Sequence, residues 1–201
     1  MTSLEEQFGP IDIYLFDQIL KGRIRPGMKL FDAGCGSGRN LVYLLRAGYE
    51  VWGVDADPRA VEAARMLPGA RRDNFRTERI ESHSFPEGFA DVVLSSAVLH
   101  FARDDEDFAA ILRGTWRALK PGGLFFSRLA SSIGIEDQVR PIAGRRFWLP
   151  DGSQRYLVDE AILVALTEEL GGELVDPLKT TVVQNQRSMT TWVLRKYENA
   201  H

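Results

Sequence analysis

A single cysteine, Cys35, in a chain of 201 residues excludes an internal disulfide framework and a cysteine-rich zinc site. Histidine is nearly as scarce: His83, His100 and the terminal His201 are the full set, so no metal site is expected. A basic excess is missing too. Lys and Arg number 25 against 28 Asp and Glu, and the net charge of −3 does not suit a dedicated nucleic-acid binder. No apolar run approaches the roughly 18 residues that would span a bilayer. The opening Met1-Thr2-Ser3-Leu4-Glu5-Glu6 has neither the basic nor the apolar region of a secretory signal. These absences lead us to expect a soluble, cytoplasmic protein without membrane or nucleic-acid contact, acting as a monomer or homodimer.

What is present is alternation. A chain of this length suits one α/β domain with ample core. Gly9-Pro10 opens a helix expected to run to Lys21, with Gly22 closing it. Apolar strands are expected at 29–32, 50–54, 90–95 and 124–129, with a weak one near 74–80. Helices are expected at 39–47, at 58–66 with Asp57 as N-cap before Pro58, at 107–119 and at 159–170. Strands that alternate with helices predict a mostly parallel sheet covered on both faces. The final runs 173–183 and 188–195 read as an antiparallel pair at one sheet edge. One long connection, 130–158, breaks the pattern, and connections of that length tend to be lids or binding loops. Within it, 145–150 and 154–157 flank Asp151-Gly152-Ser153 as a short hairpin. Four parts follow: an N-terminal helical cap (1–27), a cofactor core (28–129), an inserted lid or substrate loop (130–158), and a C-terminal helix with its strand pair (159–201).

The most specific segment is Asp32-Ala33-Gly34-Cys35-Gly36-Ser37-Gly38, at the end of the first strand. Glycines here let backbone approach a ligand, and Asp55 follows about twenty residues after Gly34, at the end of the next strand, where a carboxylate can hold ribose hydroxyls. The spacing is G-x-G-x-G, not the G-x-G-x-x-G of dinucleotide sites. A carboxylate at Asp32 is badly placed for a pyrophosphate and well placed for a cation, such as the ammonium of an amino-acid tail.

That segment resembles the first motif of class I S-adenosylmethionine-dependent methyltransferases. Val54-Asp55-Ala56-Asp57-Pro58 is similar to their second-strand motif, and Phe85 to Val93 resembles the approach to the fourth strand. Ser95-Ser96-Ala97-Val98-Leu99-His100-Phe101 resembles the end of that strand, and Leu119-Lys120-Pro121-Gly122-Gly123-Leu124 the turn before the fifth. The five motifs span residues 28–129 in order and suggest a small bacterial type. The resemblance implies a Rossmann-like, doubly wound, seven-stranded mostly parallel sheet with an antiparallel C-terminal edge strand and helices on both faces. It implies S-adenosylmethionine as cofactor, S-adenosylhomocysteine as product and a small-molecule methyl acceptor.

Residue roles follow from the same resemblance. Gly34, Gly36 and Gly38 would form the turn beneath the methionine part, and Asp32 would hold its ammonium directly or through water. Asp55 would bind both ribose hydroxyls, Ala56 would lie against adenine, and Glu81 or Ser82 would sit at the adenine edge. Ser95 would line the methionine tail with its backbone, and Tyr14 could close over the cofactor or simply pack in the core. His100, following the fourth strand, is the candidate general base, since imidazole takes a proton near neutral pH. In the insertion, Arg145, Trp148 and Tyr156, together with Arg128 from the fifth strand, are candidate substrate contacts for an anionic or planar molecule. The expected reaction is in-line methyl transfer to O, N or S. A nicotinamide-dependent oxidoreductase and a non-catalytic cofactor-binding protein are the alternatives.

Overall fold

Alternation along the central strands sorts the apolar residues into two cores, one on each side of a sheet. The computed structural model describes residues 3–198, so His201 lies outside them. Two short helices, α1 (Leu4–Phe8) and α2 (Ile13–Leu20), precede β1 (Lys29–Ala33). Then come α3 (Val42–Arg46), β2 (Glu50–Asp55), α4 (Pro58–Arg65), β3 (Phe75–Thr77) and β4 (Ala90–Ser96). The helix α5 (Asp105–Arg117) leads into β5 (Leu119–Ala130). The chain ends with α6 (Glu160–Glu169), after an insertion carrying β6 (Arg140–Ala143), β7 (Arg146–Trp148) and β8 (Gln154–Tyr156), and with β9 (Gly172–Leu174), β10 (Lys179–Val183) and β11 (Arg187–Lys196).

The main sheet runs β10-β11-β5-β4-β1-β2-β3, with β9 an added short strand on β11. The five strands β3, β2, β1, β4 and β5 are parallel, and β11 is antiparallel to β5. The expected seven-strand path with an antiparallel edge is therefore present. Successive residues point to opposite faces of a strand. Phe31, Val93, Phe125 and Trp192 accordingly face α5 and α6, whereas their neighbours Leu30, Leu94, Phe126 and Val193 face α2, α3 and α4. All eight are essentially buried, as central strands covered on both faces should be.

Several boundaries differ from expectation for local reasons. The helix expected from Pro10 begins at Ile13, because the Asp12 carboxylate accepts the Tyr14 N–H at 2.9 Å and serves as N-cap. The helix expected at 39–47 is only 42–46, since residues 38–41 remain in the glycine turn. The weak strand near 74–80 shortens to β3 and a 3-10 turn at 80–82. The helix α1 was not foreseen. The expected hairpin in the insertion exists as β7–β8, but β6 joins it to form a separate three-stranded sheet, so the segment is not an unstructured loop. The expected run 173–183 divides into β9 and β10, both paired with β11.

Candidate active site

The C-terminal ends of β1, β2 and β4 open into a cleft of about 600 Å³. This is the edge at which parallel sheets of this order bind ligands. The turn after β1 is fastened to β2: the N–H groups of Gly34 and Cys35 both donate to the Val54 carbonyl at 2.9 Å. The Gly36 N–H donates to Asp55 Oδ2 at 2.9 Å, and Asp57 N–H donates to Asp55 Oδ1 at the same distance. One carboxylate thereby orients both loops, and each of its oxygens keeps a lone pair for a ligand.

The three glycines of the turn do different work. At Gly36, φ is +52° and a Cβ would meet nothing within 4 Å, so this position faces open cleft. At Gly34 a Cβ would lie 2.5 Å from a Val98 methyl, and at Gly38 2.5 Å from a Leu67 methyl. Gly38 does not line the cleft; its missing side chain admits the segment after α4.

Asp32 is the unusual residue. It lines the cleft and is buried, yet among the described residues no hydrogen-bond donor reaches its carboxylate. Burial, reinforced by the negative charge of Asp55 and opposed by Arg39, pushes its pKa up to about 7. A buried carboxylate without a donor is costly unless a cation arrives. Arg39 lines the same cleft, is exposed, and touches Ser96 Oγ at 3.4 Å. No carboxylate pairs with it among the described residues. Arg39 was not singled out in the sequence, although it directly follows the glycine turn, a signal that could have marked it. Ala97 was also missed. It sits on the cleft wall with φ +62°, a left-handed turn that nothing in its residue type announces.

Among the other expected residues, Ala56 and Glu81 line the cleft, and Glu81 is paired with Arg79. The segment holding Glu81 rests on α5 where Gly114 lacks a side chain, since a Cβ there would come within 2.4 Å of the Ile80 carbonyl. Cys35 lines the cleft, but its thiol is buried and its pKa is driven far upward by burial and by Asp32 and Asp55, which makes it a poor nucleophile.

The remaining candidates lie elsewhere. Ser82 does not line the cleft, because the 3-10 turn directs Ile80 and Glu81 there instead. Ser95 is wholly buried, and its carbonyl accepts the Ser127 hydroxyl at 3.0 Å; β4 runs one residue further, so Ser96 takes the expected place. The Tyr14 hydroxyl bonds Thr181 Oγ1 at 2.5 Å, which ties α2 to β10. Arg128 pairs with the Asp12 carboxylate at 2.8 Å and stacks 5.1 Å from the Tyr14 ring. Arg145 pairs with Asp159, the N-cap of α6, at 2.9 Å. The Tyr156 hydroxyl donates to Asp105 at 2.8 Å while its ring stacks on Phe108. Trp148 lies on the middle strand of the small sheet and lines no part of the cleft.

His100 also departs from its expected role. It is 5% exposed, lies off the cleft wall, and its Nδ1 accepts the Ala130 N–H at 3.2 Å. That bond uses the one lone pair a neutral imidazole offers as a base. Burial, with the charge of Arg155, lowers its pKa to about 4. His83 is likewise interior, with Nε2 3.1 Å from the Gly114 carbonyl.

Comparison with known proteins bears on the family and the fold. A family model described as a methyltransferase domain matches residues 31–127. An uncharacterized methyltransferase from Synechocystis is 33% identical over 162 residues, covering 80% of this chain and 70% of its own. A ubiquinone biosynthesis O-methyltransferase from Methylobacterium nodulans is 31% identical over 196 residues, covering 89% and 76% respectively. Against several other enzymes of that name, the match spans about half to two thirds of their length. Among solved structures, a SAM-dependent methyltransferase from Methanosarcina mazei superposes with a TM-score of 0.74 at 22% identity, covering 90% of this chain and 98% of its own, a likeness of fold.

Proposed function

The chain belongs to the class I S-adenosylmethionine-dependent methyltransferases, and from that premise we propose that it methylates a small-molecule acceptor at O, N or S by in-line transfer. One observation carries the site assignment: the buried Asp32 carboxylate, without a donor, beside the open cradle at Gly36 and the free lone pairs of Asp55. These groups fit S-adenosylmethionine. Asp32 would hold the ammonium of the methionine tail, Arg39 its carboxylate, and Asp55 the ribose hydroxyls. Ala56, Ile80 and Glu81 would form the adenine side of the cleft.

When bound, the cofactor supplies a sulfonium-activated methyl group, which passes to an acceptor lone pair while the sulfur keeps the electrons of the broken bond. The contribution of this chain is placement. Asp32 and Arg39 would fix the amino-acid end and Asp55 the ribose, so that the methyl faces a defined direction. Holding two reactants in a near-attack arrangement can supply about 7–11 kcal/mol of the barrier. His100 is not used as a base in this reading, because its acceptor nitrogen is already bonded. An acceptor that arrives as an anion, or that loses its proton to water, needs none.

The same cleft argues against the nicotinamide alternative, since Asp32 would face a pyrophosphate and, with Arg79 paired to Glu81 and Arg103 to Asp107, Arg39 alone would compensate. Transfer of label from methyl-labelled S-adenosylmethionine to a component of a metabolite extract tests the proposal and separates an enzyme from a cofactor-binding protein. Tight cofactor binding with no labelled product would leave only the binding function.

A further inference from the structure

The insertion was expected to be a lid or a substrate loop, and most of its candidate substrate contacts are already engaged. Arg145 is paired with Asp159, Arg146 is bonded to Gln154, and Tyr156 is buried and bonded to Asp105. Arg140 and Trp148 stay exposed but line no part of the cleft, and one pair lies at the cleft itself. Phe101, in the turn after β4, is a wall of the cleft and remains 59% exposed. The Arg155 guanidinium, on β8, lies 4.9 Å from the centre of its ring.

This pair is not needed to hold the insertion in place. The attachment is made by Tyr156, packed on Phe108 and bonded to Asp105, by Arg145 paired with Asp159 at 2.9 Å, and by Ser131 N–H donating to the Ser188 carbonyl at 3.1 Å. Arg155 donates to the Gln154 carbonyl at 2.7 Å through one nitrogen, and among the described residues it has no carboxylate partner. Asp151, an acid that feels the Arg155 charge, is occupied by the Ser153 N–H and hydroxyl at 2.9 and 2.6 Å. The nearby His100 is interior and neutral, so it neither competes for an anion nor neutralises the guanidinium.

We propose that Arg155 and Phe101 form the acceptor subsite, and that they select an aromatic acceptor bearing a carboxylate or similar anion. An exposed ring in a cleft wall offers a stacking surface. A guanidinium beside it offers the two parallel donors that match a carboxylate. Together they distinguish a planar anion from a neutral aromatic and from a non-aromatic anion. The subsite rests on the methyltransferase reading, because Phe101 lines the same cleft as Asp32 and Arg155 adjoins that cleft at the Phe101 ring.

Calorimetry on the complex with S-adenosylhomocysteine tests it. The probes are benzoate, 4-hydroxybenzoate and indole-3-carboxylate, their neutral amides, and cyclohexanecarboxylate. At least one aromatic carboxylate is expected to bind tenfold or more tightly than its amide and than cyclohexanecarboxylate. Arg155→Gln should erase the preference over the amide, and Arg155→Lys should keep part of it. Phe101→Leu should weaken acid and amide together. Both Arg155 variants should bind S-adenosylhomocysteine like the wild type, and Phe101→Leu should melt cooperatively, which shows that all three fold. The inference is overturned if no aromatic carboxylate binds the complex, or if Arg155→Gln keeps the preference. Loss of S-adenosylhomocysteine binding by the wild type would instead overturn the underlying reading.

Discussion

The glycine-turn cleft and the insertion are both rich in charged side chains, but they treat several of them in opposite ways. In the insertion, Arg155 apart, the candidate side chains close on the fold: Arg145 meets Asp159, Tyr156 meets Asp105, and neighbouring Arg128 meets Asp12. In the cleft Arg79 pairs with Glu81 and Arg103 with Asp107, but Asp32 lacks a donor and Arg39 lacks a carboxylate among the described residues. Charge pairs inside the fold fix a conformation. A buried charge without a partner is tolerated where a ligand will supply one. Composition alone does not separate these cases, since an arginine in a loop reads the same before its partner is known.

Asp32→Asn breaks this contrast most sharply. It should weaken S-adenosylhomocysteine binding on the order of 100-fold, the size expected when one partner of a buried charge pair is truncated. Without ligand the same change should stabilise. Asp32 has a folded pKa of about 7 against an ordinary 3.8, so the folded protein holds this proton more tightly than the unfolded chain. The carboxyl's contribution is thus most favourable at low pH and is lost as pH rises through 7. The shift corresponds to about 4 kcal/mol at most above that range. Thermal melts at pH 8 should show a higher Tm for the ligand-free Asp32→Asn protein than for the wild type.

Next in size are the glycines. Gly36→Val places a β-branched side chain in a left-handed turn and in the open cradle, and should cut S-adenosylhomocysteine affinity by about tenfold or more. Gly38→Ala should act on stability instead, because its Cβ would meet Leu67 rather than ligand. Paired calorimetry and denaturant titration read the two effects separately.

The smallest effects belong to the residues that the fold has claimed. His100→Leu leaves the interior Ala130 N–H without its acceptor and should cost about 1–3 kcal/mol in denaturant stability. The pH–rate profile of methyl transfer should be unchanged, which a catalytic base would not allow. Tyr156→Phe should cost about 1 kcal/mol by the same measurement, with S-adenosylhomocysteine affinity unaltered.

Much of the fold was legible because burial on both faces writes itself into continuous apolar strands. Val92-Val93-Leu94 and Leu124-Phe125-Phe126 needed no partner information to be recognised. Asp57 before Pro58 marked a helix start, and its side chain does accept the Arg59 N–H at 2.9 Å. In contrast, β6 contains Pro141 and its residues are exposed, so it carries neither strand propensity nor a buried face. The motif residues Asp32, Gly34, Gly36, Asp55 and Ala56 do converge on one cleft, since their positions are set by local turns after adjacent parallel strands. Tyr14, Arg128, Arg145 and Tyr156 bond to partners 14 to 167 residues away, which no local pattern in the sequence announces. Ser95 and His100 were misplaced for a smaller reason: β4 ends one residue later, and the following 3-10 turn carries His100 into the interior.

The central claim is that Asp32 is an open carboxylate awaiting a cation, and its protonation should therefore be visible in cofactor binding. Calorimetric titration of S-adenosylhomocysteine between pH 5.5 and 7.5 tests this most directly. In the wild type, affinity should rise with pH, approaching tenfold per unit well below pH 7 and levelling above it, with proton release on binding. Asp32→Asn should bind weakly and without that slope. Wild-type affinity that stays constant across the range, or an Asp32→Asn protein that binds as tightly as the wild type, would contradict the account.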